Sequence, residues 1–194
     1  MESSITKEII STLERERFEG RIVVIQTLGR AKKAVRYLSK HSMIGFDTET
    51  RPAYKKGSYY NVSLIQLSTE DTCFLFRLNM IDFPQCLIDL LSNANVKKIG
   101  LSLRDDFAAM NRRQPFEPNG FIDLQTIVQE YGITDISLQK VYAILFNKKI
   151  SKKQRLTNWE ADVLTDSQKR YAALDAWACL RIYKNLHDKT IFTP

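Results

Sequence analysis

The sequence predicts one α/β domain built on a mixed sheet, and three observations carry this reading. The 194 residues match the length of a single domain, enough to bury well over half of the unfolded surface. The composition, 44% hydrophobic and 26% charged, is that of an ordinary folded domain. The hydrophobic pattern also changes along the chain: two short apolar runs joined by a turn come first, and strands then alternate with helical segments. A hairpin followed by strand–helix alternation gives a sheet with both antiparallel and parallel pairs, covered by helices.

Ile5, Ile9, Ile10, Leu13 and Phe18 fall near helical spacing, so residues 5–18 read as an amphipathic helix. Arg21-Ile22-Val23-Val24-Ile25 is a short strand, and Gly29 opens a helix in which Ala31, Ala34, Val35 and Leu38 share a face. Met43 to Glu49 is a buried strand whose end turns polar, and Pro52 closes it because proline ends a ladder. Residues 52–60 hold proline, glycine, two lysines and three tyrosines and read as a loop. Val62–Leu67 and Thr72–Phe76 are strands around a Glu70-Asp71 turn. Helices follow at about 83–92, 104–112, 124–131 and 137–146, with strands at about 96–100 and 121–123 between them. Residues 147–158 are basic and turn-like, and a last long helix covers about 166–187.

Composition narrows the chemistry. Cys73, Cys86 and Cys179 are scattered and form no C-x-x-C, which argues against a disulfide framework and against a zinc knuckle. His41 and His187 alone cannot build a histidine metal site, so a metal here would be held by carboxylates, which suit hard ions such as Mg²⁺ or Mn²⁺. No apolar run approaches the ~20 residues of a membrane span, and the N-terminus lacks the pattern of a signal peptide. A cytoplasmic protein without membrane contact is expected, and nothing in the sequence calls for an obligate protein partner. The net charge of +7, from 29 Lys and Arg against 22 Asp and Glu, fits a polyanionic partner.

Three segments carry carboxylates. In Ile44-Gly45-Phe46-Asp47-Thr48-Glu49-Thr50, Asp47 and Glu49 stand two apart at the end of a buried strand and so point to one face. Two anions held close together both stay ionised only if a cation joins them. In Ile99-Gly100-Leu101-Ser102-Leu103-Arg104-Asp105-Asp106, a strand ends at glycine and an acidic pair opens a helix; one of the pair would suit a helix cap. In Tyr171-Ala172-Ala173-Leu174-Asp175-Ala176, Tyr171 and Asp175 stand at i and i+4 on one helix face, and the alanines let another element pack closely.

Together these motifs resemble the ribonuclease D-like branch of the DEDD 3′–5′ exonucleases, the branch with a tyrosine in its third motif. The likeness is greatest to Werner-syndrome-type exonuclease domains and small stand-alone bacterial relatives. The surroundings match as well: Ser63–Ser68, Thr157-Asn158-Trp159-Glu160, Leu164-Thr165 and Gln168. The resemblance implies a core at about 20–188 within a single domain 1–194, with residues 5–18 as a helical extension. It implies an RNase H-like mixed central sheet with helices on both sides. It also implies two divalent cations, Mg²⁺ or Mn²⁺, held by Asp47, Glu49, Asp106 and Asp175. Tyr171 would lie beside the attacking water, and DNA or RNA 3′ ends would be the substrate. The family's second motif places its aspartate about six residues after the glycine, so the resemblance implies Asp106, with Asp105 as its bystander. By the same resemblance, the main chain at Thr48 and Thr50 faces the terminal nucleotide. From the residues themselves, Lys148 to Arg155 is a basic loop able to grip phosphates, chiefly through Lys152, Lys153 and Arg155. Lys55 and Lys56, with Tyr54, Tyr59 and Tyr60, form a second candidate patch. The competing reading is a catalytically inactive nucleic-acid-binding module on the same fold.

Overall fold

The structure is a computed structural model that describes residues 2–53 and 59–191. In chain order the elements are α1 (Lys7–Thr12), β1 (Glu14–Arg15), β2 (Arg21–Ile25), α2 (Leu28–Leu38), β3 (Met43–Thr50), β4 (Val62–Ser68), β5 (Thr72–Arg77), α3 (Leu78–Ile81) and α4 (Gln85–Leu91). They continue with β6 (Lys97–Gly100), α5 (Leu103–Arg113), β7 (Phe121–Asp123), α6 (Leu124–Glu130), α7 (Leu138–Phe146), β8 (Lys148–Lys149) and α8 (Asp166–Ile191). The six-stranded sheet has the order β2-β5-β4-β3-β6-β7. The β5–β4 and β4–β3 pairs are antiparallel, while β2–β5, β3–β6 and β6–β7 are parallel. This is the expected α/β architecture, an RNase H-like mixed sheet covered by helices on both faces.

Side-chain alternation along β3 sorts the two layers. Ile44 and Phe46 join the apolar layer with α2, α4 and α5, which includes Ala31, Leu38, Leu87 and Met110. The opposite face carries Gly45, Asp47 and Glu49 towards α8, whose Ala172, Ala173 and Ala178 belong to the second layer with Val141, Tyr142 and Trp159. Gly45 lets α8 come close: a Cβ there would stand 1.9 Å from the Ala176 carbonyl oxygen. Any larger residue would push the helix off the strand. Trp159 is fully buried, as befits an anchor under the start of α8.

The N-terminal segment differs from expectation. Only Lys7–Thr12 is helical, opened by the Thr6 hydroxyl accepting from Ile9 N–H. Residues 14–15 are instead extended and pair in parallel with β8. Local periodicity favours a continuous helix, but the chain gains more by closing this second, two-stranded sheet. Glu16 N–H donates to the Lys149 carbonyl at 2.9 Å. The Glu16 carboxylate is buried and accepts from Tyr142 Oη at 2.7 Å, Arg181 Nη1 at 2.9 Å and Lys148 Nζ at 3.3 Å. Among the described residues no helix is long and apolar enough to cross a membrane.

Candidate active site

β3, α5 and α8 deliver the acidic residues. Ligand oxygens of Asp47, Glu49 and Asp175 all lie within 4.8 Å of one another. Glu49 and Asp175 are buried and Asp47 is half-buried at the edge of the cleft. Burial, reinforced by Asp175 and Asp106, pushes the Asp47 carboxyl well above its ordinary range. Burial and the charges of Asp47, Asp175 and Asp106 raise Glu49 to about 10, with Arg155 opposing. Asp175 is raised by burial to about 7, against the hydrogen bond of Tyr171 and the charge of Lys152. Its Oδ1 is buried and meets no protein partner. Three clustered carboxylates that resist ionisation, one with an orphaned oxygen, could hold a hard cation: an added positive charge would offset the burial, and for Asp47 and Glu49 the mutual repulsion, that raises them.

Asp106 stands apart from this trio. It accepts a short hydrogen bond from the Thr48 hydroxyl. Burial raises it to about 6 although that bond lowers it, and the charges of Asp105 and Asp123 add to the rise. Asp105, by contrast, is 88% exposed in its side chain and pairs only with neighbouring Arg104. Neither aspartate caps α5. That role belongs to Asp123 on β7, whose carboxylate accepts the N–H groups of Ser102 and Leu103 at 2.9 Å each and of Gln125 at 2.9 Å. A cap from another strand fits the left-handed backbone of Ser102, φ 61°, which has no side-chain cap bond of its own.

Tyr171 lies one turn before Asp175, where its hydroxyl favours the ionised form of that carboxylate, and its ring is tilted against Trp159 at 6.1 Å between centroids. Burial, then the charges of Asp175 and Glu49, push its phenol well above the ordinary range. The surrounding motif residues turn out to be fastenings. Gln168 Nε2 donates to Thr157 Oγ1 at 3.0 Å and to the Asn158 carbonyl at 3.1 Å, and its Oε1 accepts from Thr165 N–H at 3.0 Å. Arg77, fully buried at the end of β5, donates to the carbonyls of Ala161 and Asp162. These bonds pin the loop that leads into α8.

The basic loop divides. Lys152 and Arg155 act on Asp175 and Glu49 respectively, so both flank the carboxylates. Lys153 instead lines a cavity that Tyr171 also lines. Thr50 is half-buried where the β3–β4 register shifts after Glu49. Of the second patch, Tyr59 is 82% exposed with Arg112 over its ring, and Arg51 lies over Tyr60. Tyr54, Lys55 and Lys56 lie outside the described residues. One residue not singled out from the sequence is Gln66, directly across from Asp47 in the β3–β4 pair and fully buried. Among the described residues neither its amide nitrogen nor its oxygen has a protein partner. The signal was present in Leu64-Ile65-Gln66-Leu67, a lone amide in an otherwise apolar stretch of strand.

Fold and site thus define a carboxylate-centred enzyme class on an RNase H-like sheet, and comparison with known proteins narrows it. The 3′–5′ exonuclease profile matches residues 22–191, so the chain belongs to the 3′–5′ exonuclease family, in its tyrosine-containing, ribonuclease D-like branch. It is 35% identical over 155 residues to the mouse bifunctional 3′–5′ exonuclease/ATP-dependent helicase WRN, a match covering 77% of this chain and 11% of that protein. It is 31% identical over 156 residues to ribonuclease D of Haemophilus influenzae, covering 79% and 38%. The crystal structure of the Aedes aegypti Nibbler EXO domain shares the fold, with a TM-score of 0.83 at 20% identity, covering 91% of this chain and 93% of that one. The chain therefore spans from about a tenth to two-fifths of the length of these two curated relatives.

Proposed function

We propose that the chain hydrolyses nucleic acid one nucleotide at a time from the 3′ end, using two divalent cations, Mg²⁺ or Mn²⁺. The observation that carries this is the cluster of half-buried Asp47 with buried Glu49 and Asp175, acidic groups gathered with no cation paired to them among the described residues. When bound, the ions would polarise the phosphate, ease ionisation of water and relieve charge on the leaving oxygen.

The chain's own residues divide the remaining work. Asp47 would contribute to both ions, a role supported by its interaction with both Asp175 and Asp106. Glu49 and Asp175 would hold one ion, and Asp106, kept in orientation by Thr48, would support the other. Tyr171 keeps its phenolic proton at neutral pH, since burial and then the charges of Asp175 and Glu49 disfavour tyrosinate. It is therefore suited to orient the attacking water by hydrogen bonding, and orientation alone is a substantial part of such catalysis. Trp159 and the Gln168 bonds limit its movement. Lys152 and Arg155 would meet the substrate phosphates, with Thr48 and Thr50 lining the terminal nucleotide on β3. A cytoplasmic location accords with this role. The alternative of an inactive binding module is disfavoured because all four acidic residues are present.

A 5′-labelled DNA or RNA strand should yield a descending ladder with Mg²⁺ or Mn²⁺ and none with EDTA. Cleavage that persists in EDTA would overturn the two-metal reading, and an intact strand in both ions would overturn the activity.

A further inference from the structure

Between the N-terminal arm and the first turns of α8 lies a cavity of about 410 Å³, distinct from the carboxylate cluster and touching it only through Tyr171. Arg15 and Arg17 on the arm, Lys153 on the basic loop and Arg170 on α8 line it. Among the described residues none of these four cations forms an ion pair with a carboxylate. Two acids also line the cavity. Glu16 is already neutralised by Arg181 and Lys148, which leaves Glu19 alone against four positive charges. Ser167 and Arg170 belong to the first turns of α8, the positive end of a helix of 26 residues. The inner wall is apolar, from Phe18 and Leu174 beside the ring of Tyr171.

The arm that forms one side is held firmly. Its buried glutamate has partners on α7, β8 and α8, and its backbone pairs with β8. Burying a carboxylate is costly unless it is fully hydrogen-bonded, as here. The network fixes Arg15 and Arg17 on either side of Glu16, so the cations are presented on a set frame instead of a loose tail.

We propose that this cavity binds one nucleotide of a single-stranded nucleic acid, at a subsite separate from the carboxylate cluster. The phosphate would meet the arginines and Lys153, and the base or sugar would rest on Phe18, Leu174 and Tyr171. Cationic groups beside a stacking surface are how proteins hold single strands without reading sequence. The volume suits one such ligand, whereas a stacked duplex offers no single nucleotide to enter. Nucleic acid as the ligand rests on the nuclease reading above.

The test separates the two. Variants Arg15→Gln/Arg17→Gln and Arg170→Gln are compared with the unaltered chain. In EDTA, where no cleavage is expected, a short fluorescent oligonucleotide should bind the variants about tenfold more weakly, with the salt slope reduced by about 0.7 per lost cation. With Mn²⁺, hydrolysis of an aryl ester of a nucleoside 5′-phosphate, which has no second nucleotide, should be unchanged in the variants. Arg170 is exposed on a helix, so its single variant decides the matter if the arm variant fails to fold. Unchanged oligonucleotide binding and salt slope would overturn the cavity proposal. A blunt duplex that binds as tightly as the single strand and loses as much in the variants would overturn the single-strand assignment. If no form of the protein cleaves the ester or a labelled strand, the nuclease reading fails, and the binding arm still decides the cavity.

Discussion

Replacing Asp175 with asparagine should make the metal-free protein more stable while abolishing hydrolysis. The Asp175 carboxyl moves from 3.8 in the unfolded reference to about 7 in the folded chain, through burial. Between those values the folded chain keeps a proton that the unfolded chain has released, so stability falls as pH rises through this window. At about 1.36 kcal/mol per pKa unit, this shift sets an upper bound of about 4 kcal/mol on the accumulated loss near pH 8. Asparagine has nearly the same shape, keeps an acceptor for Tyr171 and offers N–H groups to the neighbouring acids. In EDTA at about pH 8 its melting temperature should exceed that of the parent by about 4–16 °C. At about pH 5 the gain should shrink, because the parent has then traversed little of the window. Mn²⁺ should reverse the order. At a hundredfold excess over its dissociation constant the ion stabilises the parent by about 2.7 kcal/mol, and the variant should gain far less. Thermal unfolding followed by circular dichroism, with and without Mn²⁺ at both pH values, measures all of this. A variant that melts at or below the parent in EDTA at the higher pH would refute the claim of unbalanced buried charge. Equal stabilisation of both proteins by Mn²⁺ would refute the assignment of Asp175 as a ligand.

The other expectations concern rate. Tyr171→Phe keeps the ring against Trp159 and removes one hydroxyl, so single-turnover cleavage should slow by about 10²–10⁴-fold with substrate affinity little changed; full activity would leave Tyr171 a packing residue. Asp106→Ala should lower kcat by about 100-fold or more, whereas exposed Asp105→Ala should stay within about twofold and melt like the parent, and the opposite pattern in the same assay would show the register of the second motif to be wrong. Gln66→Leu removes an amide that has no protein partner, so stability should hold or rise, while hydrolysis falls about tenfold if the amide steadies Asp47; undiminished kcat would make Gln66 inert.

What could be read from the sequence was whatever depends on a local period. Asp47 and Glu49 share a face because a strand alternates, and Tyr171 and Asp175 because a helix repeats. Asp105 and Asp106 are adjacent, so no period separates them; the family resemblance points to Asp106, and in the structure only Asp106 accepts from Thr48 on another element. The cap of α5 was hidden for the same reason, since Asp123 lies 21 residues from Ser102. Residues 14–15 have helical spacing around them, yet their partners are on β8, and Glu16 bonds to groups 126 and 165 residues away. Beyond β8 the basic loop has no regular backbone, and spacing could not show that Lys153 would line a cavity while Lys152 and Arg155 act on the acids.

The close seat of α8 on Gly45 has a consequence during synthesis. Asp47 and Glu49 leave the ribosome early, whereas Asp175 arrives only with the last helix described. Until Ala176 settles on Gly45, the emerging chain has two of the three clustered acids and no enclosure for a cation. Domains generally fold as units once their sequence has emerged, so hydrolytic capacity should appear late and abruptly. On the nuclease reading, partly made chains would then leave nearby nucleic acid intact.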